Sequence, residues 1–96
     1  YATALFELAR DNRQIDSVEA SLAQLRDMLD RSDEFRRLVT SPILSRGEAV
    51  EGVNAVAGPL GLDPLTSNFL GVLAQNRRLA QLPAVIRAFR MLAAQH

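Results

Sequence analysis

Apolar residues recur at intervals of three and four along almost the whole chain, the spacing that places them on one face of an α-helix. No stretch alternates polar and apolar residues over the length of a strand, and no glycine-rich loop follows a strand-like run. Proline, glycine and helix-capping residues interrupt the pattern at short intervals. The sequence therefore predicts an all-α fold, a six-helix bundle in a single compact domain.

Capping and breaking residues set the ends of the predicted helices. Ser45 and Glu48 have the spacing of a capping box, and so do Asp16 and Glu19. Asp63 is a candidate N-cap, followed by proline at the first helical position, where its missing N–H is no loss. We expect the six helices at about 1–13, 17–31, 32–41, 45–57, 63–76 and 83–94.

Composition excludes several classes of function. The 96 residues include no Cys, and the only His is the last residue, so we expect no disulfide, thiol nucleophile, His-based triad or zinc site. No P-loop or EF-hand pattern is present, and the acidic residues around position 30 are typical of a solvated helix start. We therefore predict a non-catalytic protein with no cofactor and no metal. The chain does not begin with Met, and we expect it to be a domain trimmed from a longer protein.

The net charge of the chain is zero, but the charges are unevenly distributed. Residues 1–63 carry seven Arg and eleven acidic residues, whereas residues 64–96 carry four Arg and no acidic residue. These four, at positions 77, 78, 87 and 90, leave a small nucleic-acid-binding domain as one alternative. No aromatic side chains are interleaved with them to stack on bases. We prefer the interpretation that Arg77 and Arg78 stabilise the C-terminal end of the fifth helix.

The first and fifth predicted helices carry more apolar surface than a bundle requires. Each has an apolar arc roughly 200° wide, whereas a helix that faces one core needs somewhat over 100°. Either both helices are central and covered on two sides, or their spare edges form a shallow apolar groove of the kind that receives an amphipathic helix. A helical adaptor or dimerisation module is a further alternative. The spare edges comprise Tyr1, Ala4 and Leu8 on the first helix and Asn68, Gly71, Val72 and Gln75 on the fifth.

The order of short motifs along the chain is typical of one protein family. The motifs are YATALF at the start, a Ser-Pro break at 41–42, LGLDPL at 60–65, LAQNRRL at 73–79 and a Leu-Pro pair at 82–83. These motifs cover nearly the whole chain. In them, the chain resembles the N-terminal domain of the δ subunit of the F-type ATP synthase. The mitochondrial member of that family is the oligomycin-sensitivity-conferring protein. Gln75 stands where the family usually has Glu.

The resemblance implies a non-catalytic subunit of the peripheral stalk, which holds the catalytic head of the synthase stationary against the torque of the rotor. In the family, helices one and five bind the N-terminal helix of an α subunit. Carried over residue by residue, that contact falls on Tyr1, Ala4, Leu8, Asn68, Val72 and Gln75, with Leu5 and Phe69 as groove floor or core.

The resemblance also implies a domain organisation and a location. Residues 1–96 would be the N-terminal helical domain, and a C-terminal domain outside this chain would meet the b subunit stalk. The location that the resemblance implies for this chain is the cytoplasmic face of the bacterial inner membrane, with the organellar equivalent as the less favoured alternative. No apolar run approaches the roughly 18–20 residues that a spanning helix needs, so we expect peripheral attachment without membrane insertion.

Overall fold

The structure is a computed structural model that describes all residues from 1 to 96 and contains helices but no strand. Its six α-helices are α1 (Ala2–Asp11), α2 (Ile15–Arg31), α3 (Asp33–Thr40), α4 (Arg46–Ala57), α5 (Pro64–Gln75) and α6 (Leu82–Gln95). Single 3₁₀ turns follow α4, at Gly58–Leu60, and precede α6, at Leu79–Gln81. The radius of gyration is 12.5 Å, close to the value of about 13 Å for a compact domain of this size. The predicted all-α, six-helix, single-domain fold is confirmed.

Aliphatic side chains from all six helices surround two fully buried phenylalanines, Phe35 of α3 and Phe89 of α6. Helix α6 packs along α1 and α2, and helix α5 packs along α4 and α1. The ring of Phe6 on α1 meets the ring of Phe89 edge-on, with centroids 5.7 Å apart. Helices α1 and α5 are therefore neighbours in the bundle, and their outer sides can form one surface.

Two of the predicted helix starts differ in outcome although their sequence spacing is the same. Ser45 and Glu48 form the reciprocal hydrogen bonds of a capping box, at 3.1 and 3.0 Å. The capping box predicted for Asp16 and Glu19 is wrong, because α2 already begins at Ile15 and no side chain caps it. Asp16 lies instead in the first turn of α2, where a carboxylate is favoured by the helix dipole.

Asp63 caps α5 as expected, and it also ties that helix to α2. Its Oδ2 accepts a hydrogen bond from the N–H of Thr66 (3.1 Å), and its Oδ1 accepts one from the Ser21 hydroxyl (2.5 Å). The Ser21 hydroxyl in turn accepts from the N–H of Asp63 (3.1 Å). Burial acts to raise the pKa of Asp63, but the hydrogen bonds from Ser21 and Thr66 stabilise the carboxylate and hold that pKa below its usual value. The start of α5 is therefore fixed against the middle of α2.

Helices α1 and α5 end in the same backbone arrangement, a Schellman motif. At the end of α5, the N–H of Arg78 donates to the carbonyl of Leu73 (2.8 Å), and the N–H of Arg77 donates to the carbonyl of Ala74 (3.2 Å). Arg77 has a φ of 58°, and Arg13 takes the same left-handed position after α1 with a φ of 55°. Glycine is the usual residue there, and Arg77 closes the helix end through its main chain.

Candidate partner-binding surface

One aromatic pair bridges α1 and α5 on the outside of the bundle. The carbonyl of Tyr1 accepts a hydrogen bond from the N–H of Leu5 (3.0 Å), which joins Tyr1 to the first turn of α1. The Tyr1 ring packs edge-on against Phe69 of α5, with ring centroids 6.2 Å apart and an interplanar angle of 67°. The start of α1 is therefore packed against the middle of α5, and these are the two helices with the widest predicted apolar arcs.

Five large apolar side chains are exposed in the domain, and three of them belong to the predicted spare edges of α1 and α5. They are Tyr1, Leu8 and Val72, which are 47%, 48% and 44% exposed. Tyr1 and Leu8 are about two turns apart on α1, and Val72 is about one turn from Phe69 on α5. We call this strip, formed by Tyr1, Leu8, Phe69 and Val72, the α1–α5 surface.

The other predicted site residues form the rim and the floor of the α1–α5 surface. Ala4 is exposed on α1, and Asn68 and Gln75 are exposed on α5. Phe69 is half-buried and packs against the core, whereas Leu5 is 2% exposed and belongs to the core itself. Leu5 therefore supports the surface from below, and Phe69 is the floor residue that a partner could touch.

The exposure of both spare edges excludes the alternative in which α1 and α5 are central helices covered on two sides. Gly71 is half-buried beside Val72, and a Cβ built on it would meet no heavy atom within 4 Å. No residue of this chain makes the close approach that a glycine permits. The eight predicted site residues include no carboxylate, imidazole or thiol, so the arrangement can bury an apolar partner and offer the amides of Asn68 and Gln75.

A model of the family described as "ATP synthase delta (OSCP) subunit" matches residues 1–96. The chain belongs to the ATP synthase delta (OSCP) subunit family. It is 64% identical over 96 residues to ATP synthase subunit delta of Rhizorhabdus wittichii, an alignment that covers 100% of this chain and 52% of the relative. It is 44% identical over 96 residues to ATP synthase subunit delta of Rhizobium meliloti, with 100% and 51% covered. With ATP synthase subunit delta of Erythrobacter litoralis it shares 47% identity over 94 residues, covering 98% and 51%.

These alignments confirm the resemblance that the sequence motifs indicated. The chain spans about half the length of the curated relatives it matches. In this ATP synthase delta (OSCP) chain, no helix has both the length and the apolar character that crossing a bilayer requires. The family assignment therefore rests on the whole of the chain. The alignments leave about half of each relative unmatched.

Acidic residues of this delta (OSCP) chain do not gather into a ligand set. No group of three or more His, Cys, Asp or Glu side chains lies close enough to hold a metal ion. Around position 30, Asp27 pairs with Arg31 at 3.0 Å, and Asp33 pairs with Arg36 on α3. These carboxylates are engaged in exposed ion pairs along their own helices, which stabilise a helix by a few tenths of a kcal/mol each.

The four arginines of residues 64–96 are divided between two clefts. Arg77 and Arg78 line a cleft of about 540 Å³ between the α3–α4 connection and the corner after α5. Arg87 and Arg90 line a second cleft, of about 570 Å³, where arginines of α2 and α3 join them. The sequence contained no signal for that second cleft, because its arginines come from opposite halves of the chain. The largest concavities of the molecule thus lie away from the α1–α5 surface, which is shallow.

Proposed function

We propose that this chain is the part of a peripheral-stalk subunit that binds the N-terminal helix of an α subunit along the α1–α5 surface. The observation that carries the proposal is the strip of exposed apolar side chains, Tyr1, Leu8 and Val72, bridged by the Tyr1–Phe69 pair. Membership of the ATP synthase delta (OSCP) subunit family supports the same assembly.

Burial of the strip supplies a limited part of the binding free energy. A large apolar side chain contributes about 1.5–3 kcal/mol when it is fully buried, and each of these three is about half exposed in the free chain. Covering all three therefore contributes about 2–5 kcal/mol. Association costs at least about 4 kcal/mol in lost translational and rotational freedom. The partner must add apolar side chains of its own, which an amphipathic helix provides.

Small residues on both helices leave room for such a partner. Ala4 on α1 and Gly71 on α5 present little or no side chain, so a docked helix could bring its backbone close to this surface. Asn68 and Gln75 border the strip on α5 and offer amide donors and acceptors to polar groups at the edge of the partner. The surface thus suits a helix with one apolar face and polar flanks.

In the assembled synthase, this contact would hold the catalytic head against the torque of the rotor and would take part in no chemical step. Residues 1–96 would form the N-terminal domain of the subunit, and the rest of the subunit would meet the b subunit stalk. The subunit would work at the cytoplasmic face of the bacterial inner membrane, attached through its partners and not inserted. No cofactor or metal is part of this proposal.

The test is a calorimetric titration of the chain with a peptide that matches the N-terminal segment of the α subunit. We expect saturable binding by the parent chain and at least about tenfold weaker binding by Val72→Asp, because a carboxylate buried without a partner costs several kcal/mol. Met91→Asp is the matched control, since Met91 is 65% exposed on α6 and lies outside the α1–α5 surface. That variant carries the same change in charge and should bind like the parent.

Other outcomes would remove the proposal. Absence of peptide binding by the parent chain would directly contradict the proposed α-subunit contact. If Val72→Asp unfolds the chain while Met91→Asp does not, Val72 belongs to the core and not to a docking face. A mass that rises with concentration in sedimentation, and falls back in Val72→Asp, would favour the dimerisation module instead.

A further inference from the structure

The cleft between α2, α3 and α6 has a strongly basic lining, and we call it the basic trough. It has a volume of about 570 Å³. Four guanidinium groups and one carboxylate line it, a balance of +3 in a chain whose net charge is zero: Arg26, Arg36, Arg87, Arg90 and Asp30. Leu29 and Pro83, both half-buried, add an apolar wall that solvent can reach. Charge and apolar surface are therefore combined in one concavity.

Most of these guanidinium groups have no partner within the chain. Arg36 is held in place, because its Nη1 donates to two main-chain carbonyls of α2 at 3.2 Å and the side chain pairs with an Asp of α3. Arg26, Arg87 and Arg90 make no ion pair and no side-chain hydrogen bond. Arg87 and Arg90 are three positions apart on α6, so two like charges are neighbours on one helix face. An anionic partner would relieve that repulsion.

Acidic side chains of α2 reduce the positive potential at one side of the trough only. Arg26 and Arg90 also border a neighbouring cleft that contains three carboxylates, those of Glu19, Asp27 and Asp30. Asp27 already has an ion pair of its own, and no carboxylate oxygen lies within 4.0 Å of a nitrogen of Arg26 or Arg90. Helix α6 carries no acidic residue at all, so the charge of Arg87 has no compensation on its own helix.

We propose that the basic trough docks an acidic, amphipathic segment of a protein partner, whose carboxylates pair with Arg26, Arg87 and Arg90. The guanidinium group matches a carboxylate with two parallel hydrogen bonds, and its stem can lie along apolar surface. The apolar wall favours a peptide over a small inorganic anion, because only the peptide has side chains to cover Leu29 and Pro83. No residue of the trough belongs to the α1–α5 surface, so this docking goes beyond the proposed α-subunit contact and does not depend on it.

The test uses the isotope-labelled chain and a helical probe peptide of about fifteen residues, or about 22 Å. The probe carries Glu along one face with Leu beside it, and a second peptide has Gln at every Glu position. We expect the Glu peptide to shift the amide resonances of α2 and α6, with an affinity that falls as the salt concentration rises. The Gln peptide should bind at least about tenfold more weakly, because its pairs with arginine lack the charge of a carboxylate.

A charge-matched pair of variants locates the site. The double variant Arg87→Glu/Arg90→Glu should lower the affinity for the Glu peptide by at least about tenfold. The change removes the attraction between arginine and the peptide's carboxylates and replaces it with repulsion between carboxylates. Arg37→Glu with Arg46→Glu changes the net charge equally at exposed arginines outside the trough and should have little effect. Equal losses in the two double variants would overturn the proposal, as would shifts confined to α1 and α5 or no binding at all. Shifts caused by inorganic pyrophosphate but not by the Glu peptide would replace the docking surface with a plain anion site.

Discussion

Gly71→Ala tests why a glycine lies in the middle of α5. Glycine in a helix interior is about 1 kcal/mol less favourable than alanine. A Cβ at Gly71 would meet no heavy atom within 4 Å, so nothing in this chain opposes that gain. The free chain should become more stable by about 0.5–1 kcal/mol. In a domain of this size, that raises the melting temperature by about 2–8 °C, measured by far-UV circular dichroism.

Gly52 provides the matched control on α4. A Cβ on Gly52 would lie 2.6 Å from Cδ1 of Leu38 on α3, so the Leu38 side chain would have to shift. That strain offsets the gain in helix propensity, and Gly52→Ala should be neutral or destabilising by up to about 1 kcal/mol. The two variants make the same chemical change inside two helices and differ in what surrounds the new methyl group.

The stability and the binding of Gly71→Ala answer different questions. If a partner helix approaches α5 at this position, the variant should bind the α-subunit peptide more weakly while the free chain is stabilised. A melting temperature below that of the parent would refute the reasoning, since it would mean that the space beside Gly71 is not open. Stabilisation with unchanged affinity would show that the docked helix does not contact this point.

Two further changes test the ends of α5. Ser21→Ala should destabilise the chain by about 1–3 kcal/mol at neutral pH, because the Asp63 carboxylate loses a charge-assisted hydrogen bond. The pKa of Asp63 is lowered in the folded state, so its stabilisation is present above the unfolded-state pKa, near about 4, and is lost as the pH falls through the folded-state pKa. Urea unfolding at a series of pH values should therefore show a smaller acid loss of stability in Ser21→Ala than in the parent, and identical pH profiles would contradict this role. Arg77→Gly should stabilise the chain by about 0.5–1 kcal/mol, since glycine adopts the left-handed conformation without side-chain strain, and a lowered melting temperature would show that the Arg77 side chain matters more than its φ.

Features decided by neighbouring residues could be predicted from the sequence. The capping box at Ser45 depends only on residues three positions apart, and it formed as expected. Asp16 has Glu19 at the same spacing, yet α2 begins before Asp16, at Ile15, because the chain leaves α1 through a Schellman motif. In that motif the N–H of Gln14 donates to the carbonyl of Ala9 at 2.8 Å, and α2 follows at once. Spacing alone carries no information about how much room the preceding helix leaves.

The candidate site could be predicted as far as helical periodicity reaches. The width of the two apolar arcs identified spare edges, and the structure leaves Leu8 and Val72 on those edges exposed. Periodicity did not separate Leu5 from Phe69, because their depth depends on how α1 and α5 pack against their neighbours. The basic trough was not predicted from the sequence, for a related reason. Arg26 and Arg87 line the same cleft only after the two halves of the chain have packed together.

Both ends of α5 are fixed by hydrogen bonds, which bears on how the proposed contact at Val72 would carry load. At its start, the Asp63 carboxylate is bound to Ser21 of α2, so the first turn cannot shift without breaking a charge-assisted bond. At its end, the main chain of Arg77 and Arg78 closes the last turn. Between these points, Leu70 and Leu73 are fully buried, so the helix is held from below along its length. A partner that pulls on the exposed face of α5 therefore acts on the core and not on a locally unfolding segment, because local opening is easiest where buried contacts are few.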